Sequence, residues 1–160
     1  ALIPPLGQVP AVGRGVLATW LCITRGPGLG QATLFSCSLD LHPGPGARVL
    51  LLAPTGRASK RLSEPTGMTA TTIHRALEFS PQTGGFRRGP AEPLKAEVVV
   101  VDETSMVDTY LMYHLLRAVP AAARFILVGD AHQPPAVGPG NILKDLIDSG
   151  VVKVVRLTQT

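Results

Sequence analysis

From Arg48 onward, short aliphatic runs alternate with amphipathic stretches, and this alternation constrains the fold more than any other feature of the chain. The runs RVLLLA (48–53), AEVVVVD (96–102), ARFILVGD (123–130) and VVKVVRL (151–157) read as strands of a parallel sheet. GVLATWLCIT (15–24) is a weaker candidate of the same kind. Between the runs, residues 55–64, 71–79, 108–119 and 140–149 space their apolar positions by three to four, which predicts helices. Asp108 and Asn141 stand where N-caps belong. Four or five parallel strands wrapped by helices follow. The stretch 80–93 has no period and many turn residues, so a surface loop or hairpin is expected there.

The chain's 160 residues, 45% of them hydrophobic and only 16% charged, suit one globular unit with a buried sheet and exclude a disordered chain. The first part is patterned differently. Before residue 47 only Arg14, Arg25 and Asp40 are charged, and Pro and Gly are dense. The net charge of +4 permits attraction to nucleic acid without deciding it. Cys22 and Cys37 are not at metal-ligand spacing and build no disulfide framework, which fits a reduced compartment. No apolar run of membrane-spanning length is present, and the opening segment has too many Pro and Gly for a signal-peptide core. A soluble cytoplasmic protein with no membrane partner is therefore expected.

In open parallel sheets ligands bind beyond the carboxyl ends of the strands, so the junctions there carry the chemistry. The run VVVVDETSMVD delivers Asp102 and Glu103 to a strand end. One carboxylate can hold Mg²⁺ through water while its neighbour orients an attacking water. An acidic pair capping an ordinary buried strand would look the same. A second run, FILVGDAHQPPAVGPG, ends in Gly129 and Asp130 and then offers Gln133, whose amide both donates and accepts and can contact a γ-phosphate. A tight turn set only by Gly and Pro is the bland alternative. A third, LLLAPTGRASKRL, places Thr55 and Arg57 at a helix start able to grip a nucleic-acid phosphate. Lys60 and Arg61 read as an ordinary solvated helix face.

Together these segments resemble the RecD-like branch of the superfamily-one DNA helicases. The likeness rests on APTGRASKRLSEPTG, TIHRALEF, GGFRR, VVVVDETSMVD and LVGDAHQPPAVGPGNILKDLIDSG, covering about residues 46–158 in the family's order of motifs Ia, II and III. The resemblance implies an α/β P-loop NTPase fold, RecA-like, with a doubly wound and mostly parallel sheet flanked by helices. It also implies a motor that uses ATP and Mg²⁺ and moves 5′ to 3′ along single-stranded DNA, built from two RecA-like domains with ATP between them. This chain matches the first of the two over residues 23–160, with 1–22 unassigned and the second domain absent. By the resemblance, Asp102 serves the metal, Glu103 activates water, Gln133 couples phosphate state to DNA contact, and Thr55, Arg57 and His74 face the DNA. His74 shares its predicted helix with Ile73 and Leu77, where a packing role is the plainer expectation. A recombination or repair complex is the implied setting.

The phosphate-binding loop departs from the family. Such a loop needs glycines that let successive amides face the phosphates, a Lys for the β/γ charge and a hydroxyl on Mg²⁺. Residues 23–33, ITRGPGLGQAT, keep Gly26, Pro27, Gly28 and Gly30 of the family's GGPGTGKT. Arg25 replaces the first Gly, Gln31 the Lys and Ala32 the hydroxyl, and Thr33 comes one place late. Nucleotide contact by Gly26, Pro27, Gly28, Gly30, Gln31, Ala32 and Thr33 would then rest on backbone amides, and hydrolysis should be very weak. Three readings follow: a helicase ATPase domain with impaired turnover, a non-catalytic domain that binds single-stranded DNA or a partner, or the remnant of a gene. A frame error across the charge-poor opening is a further explanation of the altered loop, and the other two reading frames of the coding DNA decide it.

Overall fold

The computed structural model describes residues 20–25, 45–130, 133–134, 138 and 140–157. In chain order the strands are β1 (Trp20–Arg25), β2 (Val49–Ala53), β3 (Ala70–Thr72), β4 (Phe79–Ser80), β5 (Gly85–Phe86), β6 (Val98–Val101), β7 (Arg124–Gly129) and β8 (Lys153–Leu157). The helices are α1 (Gly56–Thr66), α2 (Ile73–Ala76), α3 (Thr109–Ala118) and α4 (Ile142–Ser149), with a 3₁₀ turn at Thr104–Met106.

Six strands form one sheet in the order β3-β2-β6-β7-β1-β8. Every pairing in it is parallel. The chain crosses over between neighbours, as parallel strands require. β6 and β7 lie inside the sheet and are buried along most of their length, which is why Val98–Val101 and Phe125–Val128 show no polar alternation. Their side chains divide between the two faces. Val99, Val101, Phe125 and Leu127 pack with Ile73, Leu77, Leu111, Met112 and Leu115 on one side. On the other, Val98, Val100, Ile126 and Val128 meet Leu51 and Leu62.

The sheet has one strand more than the sequence pattern suggested, and the difference falls at Ala70–Thr72. These residues pair with β2 at the sheet edge, so the predicted helix over 71–79 shrinks to Ile73–Ala76. Thr71 and Thr72 are β-branched and half-buried, which favours an edge strand, and the Thr72 hydroxyl then caps α2 by accepting the N–H of Arg75 at 3.2 Å. Phe79 leaves the helix and opens the β4–β5 hairpin within the expected irregular stretch. Both expected caps are present. Asp108 Oδ1 accepts the N–H of Leu111 at 2.7 Å and Asn141 Oδ1 that of Lys144 at 3.2 Å. The strand expected over 15–24 occupies Trp20–Arg25. No helix among the described residues is long and apolar enough to cross a membrane.

Candidate nucleotide and nucleic-acid site

The site starts from the central strand. Asp102 N–H donates to the Leu52 carbonyl at 2.9 Å, carrying the β2–β6 ladder one residue past the strand end. Asp102 is 1% exposed and Glu103 8%, so both carboxylates sit at the floor of the sheet's carboxyl edge. Carboxylates are rarely buried so completely without a partner or a cation to face. Asp102 Oδ1 accepts the N–H of Glu103 at 2.8 Å. Glu103 itself has φ 52 and ψ 41, a left-handed conformation that few non-glycine residues adopt. The turn after it holds that shape: Met106 N–H donates to Glu103 O, Val107 N–H to Thr104 O, and the Thr104 hydroxyl to Val101 O.

Gly129 ends β7 beside this turn. A Cβ there would lie 2.8 Å from Leu143 Cδ2, which would have to shift, and 3.4 Å from the Ser105 nitrogen, so the β7 end packs closely on this turn. Gln133 N–H donates to Asp130 O at 3.2 Å, and the Ser105 hydroxyl donates to Gln133 Oε1 at 3.4 Å. The two segments that the sequence singled out for nucleotide chemistry are thereby in contact, through a serine that sequence reasoning missed. Its only signal is its place two residues after Glu103.

Of the remaining candidates, Thr55, Arg57 and His74 follow strands of the same edge. Thr24 of β1 pairs in register with Gly129. Gly26, Pro27, Gly28, Gly30, Gln31, Ala32 and Thr33 lie outside the described residues. In the other direction, Thr55 and Arg57 stand exposed where α1 begins after β2. The Thr55 side-chain oxygen already caps α1, accepting the Ala58 N–H at 3.2 Å. His74 follows β3 and is exposed, unlike its buried neighbours Ile73 and Leu77. Its ring meets Phe79 edge-on at 5.6 Å and tilts against Phe86 at 5.8 Å. Phe86 continues the cluster to His114 at 4.8 Å, and His114 to Tyr110 at 4.6 Å.

The donor set fits a hard cation. Among the described residues no three His, Cys, Asp or Glu side chains converge, as an all-protein cage would need. An acidic pair at a strand end suits instead a small divalent ion that keeps waters and shares phosphate oxygens.

A twisted parallel sheet whose central strand ends in a buried acidic pair belongs to the α/β P-loop NTPase class. The solved structures agree at the level of fold. The chain aligns with the Pif1 helicase of Candida albicans at a TM-score of 0.64 and 20% identity, over 99% of this chain and 40% of that one. It also aligns with a Bacteroides Pif1 helicase in complex with ADP-AlF3 and ssDNA at a TM-score of 0.56 and 19% identity, over 88% and 38%. An AAA domain family model matches residues 8–139. The ATP-dependent RecD2 DNA helicase of Deinococcus radiodurans is 44% identical over 137 residues, covering 86% of this chain and 19% of that helicase. The RecBCD enzyme subunit RecD of Mycolicibacterium smegmatis is 39% identical over 79% of this chain and 27% of that subunit. The chain belongs to the RecD-like branch of the superfamily-one helicases, within the AAA domain family. It spans between about a fifth and just over a quarter of the length of these relatives. The family in general uses a nucleotide and a metal ion.

Proposed function

We propose that this chain forms the first ATP-binding domain of a RecD-like DNA helicase motor, with Mg²⁺–ATP at the β1–β7–β6 end of the sheet edge and single-stranded DNA at the β2–β3 end. The observation that carries this reading is the buried Asp102–Glu103 pair, tied through its turn to Gln133. Asp102 would hold the ion through water and Glu103 would take the proton of the attacking water, while Gln133 meets the terminal phosphate. Bound Mg²⁺ would supply charge neutralisation between phosphate oxygens. Thr55, Arg57 and His74 lie one and two strands away on the same edge, which is where a strand of DNA could feel a change at the nucleotide. Directional movement, 5′ to 3′, needs a second RecA-like domain to close on the nucleotide, and a recombination or repair complex is the setting such a motor would serve.

A second reading has its own observation. Gln31 and Ala32 stand where the family's Lys and hydroxyl would be, which favours a domain that binds DNA or a partner without turnover. Mg²⁺-dependent ATP hydrolysis with and without single-stranded DNA, measured beside DNA binding without nucleotide, separates the two. The motor reading expects weak, DNA-stimulated hydrolysis that Glu103→Gln abolishes while DNA binding persists. DNA binding with no hydrolysis above that of the Glu103→Gln variant would establish the binding-only reading.

A further inference from the structure

Within the 3₁₀ turn the two hydroxyls have different duties. Thr104 closes onto its own strand through Val101 O, whereas Ser105, 6% exposed, reaches Gln133 Oε1 across 28 residues of sequence. A glutamine amide has two unlike ends, an oxygen that accepts and an NH₂ that donates. Here the Ser105 hydroxyl donates to the oxygen at 3.4 Å, which leaves the NH₂ to be presented elsewhere. An anion needs the donating end, and an amide free to flip would offer its oxygen part of the time.

We propose that Ser105 is a positioning residue that holds the carbonyl of Gln133, so that the amide NH₂ is presented to the terminal phosphate of a nucleoside triphosphate. This role rests on the nucleotide reading above and deepens it. Ser105 touches no phosphate itself. It acts through Gln133 and joins that side chain to the turn that fixes Glu103, because Met106 N–H, the residue after Ser105, donates to Glu103 O at 2.9 Å. A change in how Gln133 is held is therefore felt two residues from the water-activating carboxylate. Gly129 at the end of β7 packs beside the same turn, where an added Cβ would stand 3.4 Å from the Ser105 nitrogen.

Two measurements on the 160-residue chain test the proposal. The first needs no nucleotide and follows the side-chain ¹H–¹⁵N amide signals of Gln133 by NMR. Ser105→Ala should shift and mobilise them, and Ser105→Thr, which keeps the hydroxyl, should restore them. The second compares the affinities for Mg²⁺ with a non-hydrolysable ATP analogue and for Mg²⁺–ADP. Loss of one hydrogen bond's worth of orientation should lower the preference for the triphosphate by about fivefold in Ser105→Ala. The affinity for ADP should hold, Ser105→Thr should recover the preference, and Ser105→Ala should add nothing in a Gln133→Ala background. Gln133 signals indifferent to Ser105→Ala would overturn the proposal, as would equal losses for both nucleotides or a further loss in the Gln133→Ala background. A wild-type chain that binds neither nucleotide while its Gln133 amide responds to Ser105→Ala would instead overturn the nucleotide reading, and the assigned role with it.

Discussion

Glu103 sits with φ 52 two residues past β6, a strand buried at all four positions, and is followed by a turn whose hydrogen bonds leave it little room to relax. A non-glycine residue in that region carries a conformational cost, and such cost persists where the surroundings hold it in place. Here the surroundings are Asp102 Oδ1 on one side and the Thr104–Met106 turn on the other. Gly129 is the neighbour that makes this packing possible. Gly129→Ala drives a methyl into Leu143 and towards the Ser105 nitrogen, and should lower the unfolding free energy by about 1–3 kcal/mol, read from urea denaturation. At this scale Asp102, Glu103 and Gln133 could be picked out from the sequence by their places after aliphatic runs, and the structure brings them together through one turn. Ser105 escaped it because a lone serine in a turn has many ordinary uses, and only contact with a residue 28 positions away distinguishes it.

At the scale of elements, capping side chains set where the helices begin. Asp108 accepts the Leu111 N–H at 2.7 Å, and Asp108→Ala should cost about 1 kcal/mol of stability, seen as a lower denaturant midpoint with an unchanged slope. Helix α1 ends at Gly67, whose φ of 63 makes the left-handed C-cap. The hairpin was legible only as irregular sequence, since its two-residue strands are too short for any period. What mounts it is tertiary. Arg88 Nε and Nη2 both donate to Glu78 Oε1, at 2.9 and 2.7 Å, and Phe86 rests against His114 of α3. Glu78→Ala removes the shared acceptor of that mount. It should leave the thermal midpoint of the sheet nearly unchanged, because these pairs are partly solvated, while raising hydrogen exchange at the Arg87 and Arg88 amides, which donate to Glu78 O and Leu77 O.

On the scale of the whole molecule, parallel pairing brings residues far apart in sequence to one edge. Asp102 and Gln133 stand toward one end of it, with Thr55, Arg57 and His74 toward the other, and β6 and β2 adjacent between them. The strand runs announced this architecture because a strand buried on both faces must be aliphatic throughout, and five of the six sheet strands are long enough to show a run. The edge strand β3, with three half-buried residues, was not, and it displaced a predicted helix. Charge-poor residues before Arg48 offered little pattern, and the phosphate-loop glycines could be read there only against the family's motif.

On the proposed function, the fold and acidic pair of a helicase motor are present while Gln31 and Ala32 limit turnover. The direct measurement is Mg²⁺-dependent ATP hydrolysis on single-stranded DNA by the wild type and by the double variant Gln31→Lys, Ala32→Thr. Hydrolysis should rise roughly a hundredfold in the double variant and be abolished again by Glu103→Gln. A double variant as inactive as the wild type, or a wild type already as fast as the double variant, would contradict this reading.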